Sequence, residues 1–511
     1  MTGTRIAAIV DEDRLARWQI AVVERLSDLG DVELVCVNGV MAAPTWPRLM
    51  RFYQRLDALR SRHLIEHLPR ELSTPLVDLG RRDDDALLIE AVNRADLVVD
   101  LTAKRVSDRL PRNGVVIGPV QRPDEMSLMA ALVRGERVVP ASVWLRRGEQ
   151  RVVVAQSNVA VSRLSLQRTV DRVGSRLAHL VGRVADRLLT DRPLPAAVAL
   201  LDPEPAPRVA SAGIARLIGS ALFGAMRAST TQVHWRVVWG ERTDGPFQVT
   251  SRMRALEAPA GRFFADPFLA DDNGTAVVFF EDFDSRIGRA TIAVAGLDDR
   301  LSTYRTVLDL DHHLSYPFVF KHDSTWHMTP EMAESGRVVL FRCERFPDRW
   351  VEEAVLVDGV VAYDPTMLHF EDRWWLFFSS GTPGAASDDE LHVWFSSSLL
   401  GPYAPHPMNP VRSDAVGARP AGRIQAVDGM LLRPGQDGSR EYGGGIVIHS
   451  IRHLTTERYE EDVVGRIDGV PGLRASGVHT IDSSANYVVL DTKQRVARLR
   501  PWPRTIKRLG R

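Results

Sequence analysis

The sequence predicts two fold classes in one chain: an α/β domain of parallel strands and crossover helices, then an all-β propeller of five blades. Three observations carry the prediction. Runs beginning RFFADPFL, SYPFVF and YDPTML place Asp266, Tyr316 and Asp364 directly before a proline, at intervals of 50 and 48 residues (316 − 266 and 364 − 316). A period of that size, filled by several short strands, is the signature of propeller blades. The first two intervals each hold four candidate strands: FADPFLA, TAVVFFED, RATIAVAGL and TYRTVLDL, then YPFVFKH, STWHMTPE, RVVLFRCE and WVEEAVLVD. Residues 1–195 lack this repeat and alternate buried apolar runs with helix-period stretches, the pattern of an α/β layer.

In chain order, RIAAIV reads as a buried first strand, RWQIAVVERLSDLG as an amphipathic helix and VELVCVNG as a second strand. Helical sequence through His67, then PLVDLG, the helix DDALLIEAVNRA and the strands DLVVDLT and GVVIGPV continue the alternation. SVWLRRG and RVVVAQS form an expected hairpin, and residues 164–189 a long amphipathic helix. Residues 196–232 are read as a linker, PEPAPR, and an apolar helix, GIARLIGSALFGAM, too short to span a bilayer and assigned to packing between the domains. The propeller is assigned to 233–505 and a basic tail to 506–511.

The third blade reads YDPTMLHFE, RWWLFFSS, ELHVWFSS and a weak YAPHPM; the fourth reads AGRIQAVDG, MLLRPGQD, GGIVIHSIRHL and RYEEDVVGRI. The fifth offers only GVHTIDSS and NYVVLDTK. VHWRVVWGE, which precedes the first blade, is therefore expected to complete it and close the ring, leaving no long open edge.

Composition narrows the function classes. With 511 residues, 44% of them hydrophobic, the chain exceeds the usual size of one domain. Basic and acidic residues balance at 65 each, so no global field draws it to nucleic acid or an anionic membrane. Cys36 and Cys343 lie far apart, which excludes a disulfide framework. MTGTRIAAIVDEDR carries too short an apolar run for a signal peptide, no segment has the ~18 apolar residues of a membrane span, and a cytoplasmic location is the expectation. His63, Glu66 and His67 spell H-x-x-E-H, a zinc-site spacing, but charged helix faces produce it by chance. No metal and no cofactor is expected.

Residues at one position of successive inner strands form a ring around a propeller's axis. That ring would hold Asp266, Tyr316, Asp364, the Gly422 and Arg423 pair, and His479. The ends of the second strands would add Glu281 and Asp282, Glu331, Ser379 and Ser380, and Gln436 and Asp437. Several carboxylates around a polar pocket are what glycosidic chemistry needs: one acts on water or the anomeric carbon, another, protonated, assists the leaving oxygen. The bland readings are that Asp-Pro starts a strand by capping a turn and that Glu331 is a surface acid beside Glu334. Phe263, Phe264, Tyr316, Trp326, Trp374 and Trp375 could stack on sugar rings, although blade sheets are commonly packed with aromatics. Arg423 and Arg433 offer planar forks for a phosphate or carboxylate, Arg433 with Asp437 as its other partner.

ADPF, SYPF, TPE, DPT followed by WWLFFSS, RPAGR, RPGQD and the late GVHT resemble the five-bladed propeller at the N-terminal side of plant glucosamine inositolphosphorylceramide transferases and of many bacterial proteins, over about residues 233–500. More distantly the region is similar to the propellers of arabinanases, β-xylosidases and invertases. That resemblance implies Asp266 as base or nucleophile and Glu331 as acid, while Tyr316 stands where those hydrolases carry a supporting Asp. It also implies that in the plant proteins the transferring domain is a separate one. Residues 4–190, by their strand order, GVVIGPV and the RGERVVPASVWLRRGEQRVVVAQS hairpin, resemble the Rossmann-type N-terminal domain of formyltransferases. Those enzymes use an Asn and a His after the equivalent of GVVIGPV; here the segment reads GPVQRPDE, with Asp124 and Glu125 read as a solvated loop, and no histidine occurs between His67 and His179.

The expected function is that of a carbohydrate-active protein, a glycosyl-transferring or glycoside-cleaving propeller enzyme acting on a glycan or activated sugar. Asp266, Glu331 and Asp364 would be its catalytic carboxyls; Tyr316, Arg423, Arg433, Gln436, Asp437, His479, Glu281 and Asp282 would bind substrate. Its partners would be a carbohydrate or activated sugar and a companion enzyme of glycoconjugate assembly, not nucleic acid. The rivals are a non-catalytic sugar-binding scaffold and a formyl or acyl transferase.

Overall fold

The computed structural model describes residues 3–10, 15–37, 48–61, 77–78, 85–102, 110, 114–194, 198–199, 211–272, 274–297, 304–380, 389–473 and 477–497. His63, Glu66, His67, the PEPAPR linker and the basic tail lie outside them. Contacts divide the chain into two units, Met1–Phe223 with Pro383–Ala385, and Gly224–Thr382 with Ala386–Arg511.

The first unit is built on an eight-stranded sheet, in spatial order Val77–Asp78, Asp31–Cys36, Arg5–Val10, Leu97–Asp100, Val116–Pro119, Val138–Arg147, Gln150–Ala160 and Val198–Ala199. The first five pair in parallel and the remainder antiparallel. Both faces of the parallel strands are apolar because both are covered, so Arg5–Val10 is buried from Ile6 onward. The expected hairpin and the long helix, Leu166–Leu189, are present. Asp124 is not in a solvated loop: it caps the helix Glu125–Arg134, its carboxylate accepting the Ser127 N–H at 2.9 Å. That is the ordinary use of Asp at a helix start. The apolar segment forms a helix, Ser211–Thr230, whose Ile214 and Leu217 join the core of this unit while Leu222, Phe223 and Met226 are exposed.

The second unit is a five-bladed propeller. Blade one runs through the strands Arg262–Asp272, Thr275–Asp284, Arg289–Gly296 and Tyr304–Leu308; blade two through Ser315–His322, Thr325–Glu331, Arg337–Arg345 and Arg349–Asp358. Blade three starts with Ala362–Phe370 and blade four with Val416–Pro420. Blade five is completed as the sequence requires. Thr231–Glu241 pairs antiparallel with Tyr487–Ala497, register running from Glu241 opposite Tyr487 to Thr231 opposite Ala497, and Ile481–Ser483 adds its inner strand.

Blade four departs from the expected alignment. Its inner strand is Val416–Pro420, upstream of AGRIQAVDG, so Arg419 rather than Gly422 and Arg423 stands directly before the proline. Gly422, at φ +138°, packs against blade five, and a Cβ there would run into the Ile481 carbonyl. Ile481 itself donates its N–H to the Ala421 carbonyl at 2.8 Å. Gly422→Ala is therefore expected to cost about 4 kcal/mol or more, read as a lowered urea midpoint of the propeller; an unchanged midpoint would mean that this joint can open without cost.

Candidate functional site: a buried carboxylate cluster on the propeller axis

Asp266, Tyr316 and Asp364 share one backbone device. Each has a positive φ, +50°, +45° and +52°, and each sits in a register shift of its inner strand, between Ala265 and Phe268, Ser315 and Phe318, and Tyr363 and Thr366. A residue before proline ordinarily prefers extended backbone, and a left-handed non-glycine residue is strained by about 1–3 kcal/mol. The bulge re-aims one side chain per blade. The period seen in the sequence is thus a repeated bulge whose side chains turn toward the axis.

Around Asp364 the contacts are dense. Arg419 clamps it with Nε at 2.6 Å from Oδ2 and Nη2 at 3.1 Å from Oδ1, and reaches Glu331 Oε2 at 3.4 Å. Gln436 Nε2 donates to Asp364 Oδ2 at 2.7 Å, and the Asp364 N–H donates to Glu331 Oε2 at 3.0 Å. The rings of Tyr363 and Tyr442 flank the Arg419 guanidinium at 5.2 and 5.5 Å. Across the axis, the Asp266 carboxylate accepts from Thr480 Oγ1 at 2.6 Å and faces His479 Nε2 at 3.3 Å. His479 Nδ1 in turn lies 2.6 Å from Asp491. Glu281 faces His313 at 3.4 Å.

These groups perturb one another. Burial pushes the Asp266 carboxyl up to about 6, against the pull of His479 and with the added push of Asp364 and Asp491. Glu331 is raised well above the usual carboxylate range by burial and then by the Asp364 charge, opposed by Arg419. Glu281 is also raised well above it, by burial and then by Asp266 and Glu331. Burial would lower His479, but Asp491 and Asp266 outweigh it and the imidazole is raised. Carboxyls raised by burial beside an arginine and a raised imidazole are the raw material of acid and base roles.

The oxygen and nitrogen atoms of Asp266, His479 and Asp491 lie within 4.8 Å of one another, a spacing that a cation could bridge. They are already engaged with each other and with the backbone. Asp491 accepts the N–H groups of His479, Thr480 and Asp266 at 2.9, 3.1 and 3.1 Å. The cluster is organised as an ion-paired chain, and no ligand set is assigned to it.

Of the residues singled out in the sequence, Asp266, Glu281, Glu331, Asp364, Gln436 and His479 converge here. Tyr316 is buried, with its hydroxyl engaged by its neighbours. Its buried hydroxyl accepts the Gly422 N–H at 2.7 Å and meets Thr366 Oγ1 at 2.9 Å, which itself donates to the Asp364 carbonyl at 3.2 Å. Tyr316→Phe leaves the Gly422 donor unpaired and is expected to cost about 1–3 kcal/mol, measured by urea unfolding; a neutral effect would show that another acceptor takes over.

Four other residues singled out in the sequence are engaged away from this cluster. Asp282 turns away from Glu281 and binds Arg262 at 2.9 Å, and Asp437 turns away from Gln436 to pair with Arg466, because adjacent strand residues face opposite sides. Arg423 spans Asp482 at 3.0 and 3.1 Å and the Val319 carbonyl at 2.7 Å. Arg433 binds Glu461 twice at 2.7 Å rather than Asp437. Both arginines are joints between strands. Ser379 and Ser380 bond to the Glu390 and Val361 carbonyls. Phe264, Trp374 and Trp375 are core, Phe263 stacks on Phe283, and Trp326 stacks on Phe346. Aromatic character at the site comes instead from Tyr363, Tyr442 and Trp235, the last stacked on His479 at 4.1 Å. A cavity of about 440 Å³ is lined by Arg412, Arg452 and, on the blade-four strand Tyr459–Ile467, Tyr459, Glu460, Glu461 and Asp462, and none of the carboxyls Asp266, Glu281, Glu331 and Asp364 lines it.

Fold and site together define a five-bladed propeller with a buried acid cluster on its axis. Residues 246–468 match the family described as glucosamine inositolphosphorylceramide transferase 1, N-terminal, which bears out the resemblance carried by the blade motifs. The glucosamine inositolphosphorylceramide transferase 1 of Oryza sativa subsp. japonica is 40% identical over 205 residues, and that of Arabidopsis thaliana 37%, each match covering 39% of this chain and 27% of the relative. The matched stretch thus spans about a quarter of the length of those relatives. Similar solved structures include a family 117 glycoside hydrolase of Zobellia galactanivorans (TM-score 0.34, 11% identity, 50% of this chain and 90% of that one). Another is an exo-beta-1,3-galactanase of Clostridium thermocellum (TM-score 0.34, 13% identity, 47% and 62%). Similarity at that level decides nothing about the chemistry.

Proposed function

We propose that the axial cluster is a carbohydrate site, and that the propeller makes or breaks a glycosidic bond of a glycan or activated sugar held there. The observation that carries this is the convergence of Asp266, Glu281 and Glu331, all raised by burial, on Asp364 and its Arg419 clamp. Asp266 would be base or nucleophile. Glu331 would be the acid, and Asp364 would orient it through the N–H that meets Glu331 Oε2. The names of the plant relatives, glucosamine inositolphosphorylceramide transferases, favour transfer over degradation.

A second reading has its own observation. Glu331 Oε2 is held by two donors, the Asp364 N–H and Arg419, which favour its ionised form and suit recognition without turnover. Turnover of aryl glycosides and of nucleotide- or lipid-linked sugars, with Asp266→Asn and Glu331→Gln alongside, separates the two. Activity lost in both variants supports the enzyme; saturable sugar binding that survives Glu331→Gln with no turnover supports the recognition module.

The first unit is read as a formyltransferase-like domain. What supports this is its central parallel order, third strand beside second, first, fourth and fifth, followed by the antiparallel hairpin. Without a histidine between His67 and His179 it is taken as a binding or scaffold module, and a formyl donor that bound and turned over would reverse that.

A further inference from the structure

Asp491 is fully buried in the second strand of blade five. Its Oδ1 accepts the N–H groups of His479 and Thr480, and its Oδ2 accepts the Asp266 N–H at 3.1 Å while lying 2.6 Å from His479 Nδ1. One carboxylate therefore fixes the backbone of the bulge that aims Asp266 and also one face of the imidazole whose opposite nitrogen meets Asp266 at 3.3 Å. Trp235 covers the ring at 4.1 Å and Tyr442 stands edge-on at 5.1 Å, so the imidazole has no freedom to turn.

We propose that Asp491 is a positioning residue: it holds His479 as an imidazolium with Nε2–H directed at Asp266, and so keeps Asp266 a carboxylate oriented to accept a proton on the axis. The inference rests on the reading of Asp266 as the base or nucleophile of this site. Among the described residues, an imidazolium at His479 is the charge near Asp266 that favours its ionised form. The other described groups facing the pair are carboxyls or phenols, none of them a cation: Asp364 and Glu281 from blades three and one, Tyr316 from blade two, and Tyr442. Lys493, on the same strand as Asp491, is held by the Tyr442 carbonyl at 2.5 Å and by Glu441 at 3.5 Å. Arg419 is committed to Asp364 and Glu331. Without Asp491, burial, which favours the neutral imidazole, is opposed by Asp266 and Asp364 alone, and the larger of the opposing pulls is gone.

The test is nuclear magnetic resonance titration of the full chain labelled at histidine nitrogens, the His479 signal being the one lost in His479→Gln. In the wild type, His479 is expected to be doubly protonated at pH 7.5 and to titrate above the ordinary histidine midpoint. In Asp491→Asn the midpoint is expected to fall by about 1–3 pH units. Asp266→Asn guards against an Asp491 variant that does not fold: with Asp491 in place, His479 is expected to stay protonated at pH 7. A wild-type His479 that is neutral at pH 7, an unmoved midpoint in Asp491→Asn, or a neutral His479 in Asp266→Asn would each overturn the assignment. The readout needs no substrate, so its failure and the failure of the glycosidic reading in a turnover assay are distinguishable.

Discussion

Arg419→Met is expected to destabilise the propeller by about 3–5 kcal/mol at pH 8 and to abolish sugar binding on the axis. The guanidinium side chain is 12% exposed, and its partners Glu331 and Asp364 are 10% and 2% exposed. Removing one member of a buried ion pair leaves the other charges in a medium that cannot solvate them, which costs far more than the net worth of the pair. The loss has a pH signature. Burial and the Asp364 charge already raise Glu331, and Arg419 is the cation that pulls it down. Without Arg419 the folded Glu331 takes a proton more readily, while the unfolded carboxyl still ionises near its ordinary value. A group raised on folding contributes stability that is present below its unfolded pKa and lost as pH rises through its folded one. The deficit should therefore be smallest near pH 5 and grow toward pH 8. Urea unfolding at both values, followed by near-ultraviolet circular dichroism of the propeller, checks it. Equal deficits at the two pH values would show that Arg419 acts by packing between Tyr363 and Tyr442 rather than by charge.

Arg419 also marks the boundary of what the sequence could tell. The proline rule that located Asp266, Tyr316 and Asp364 continues to Arg419–Pro420, 55 residues after Asp364 (419 − 364). It was obscured because RPAGRI looks like the start of a strand at its second arginine, and because a cation breaks a pattern of acids. Asp491 occupies the second-strand position held by Glu281, Glu331 and Gln436, its N–H donating to the Thr480 carbonyl at 3.1 Å. VVLDTK carries no proline or glycine to announce that role. Blade number and closure were legible because apolar alternation and period are properties of a single strand. Partner choice was not. Arg423 and Arg433 have the right chemistry for a ligand, but Asp482 and Glu461, 59 and 28 residues further on, claim them (482 − 423 and 461 − 433). Only the register between strands decides that.

Asp266→Asn is expected to move function and stability in opposite directions. Turnover of an identified substrate should fall by about 100- to 10,000-fold, the usual contribution of a positioned acid or base. Stability should rise at pH 8. The folded Asp266 carboxyl stands at about 6 against an ordinary 3.8, chiefly because burial disfavours its charge. At about 1.4 kcal/mol per unit, those roughly two units correspond to about 3 kcal/mol, present below pH 4 and lost as pH rises through 6. An asparagine has no such titration. Its variant keeps the Thr480 hydroxyl and the Asp491 backbone contact within reach while discarding a carboxylate that the site must otherwise hold charged. Glu281, raised in part by the Asp266 charge, relaxes in the same direction. The difference in unfolding free energy between variant and wild type should thus shift toward the variant between pH 4 and pH 8, by up to about 3 kcal/mol. A site selected for stability would not carry this penalty; one selected to hold a reactive carboxylate away from water would. A constant difference across that range would place the Asp266 charge in free exchange with solvent, and with it would go the argument that burial tunes this carboxylate for chemistry.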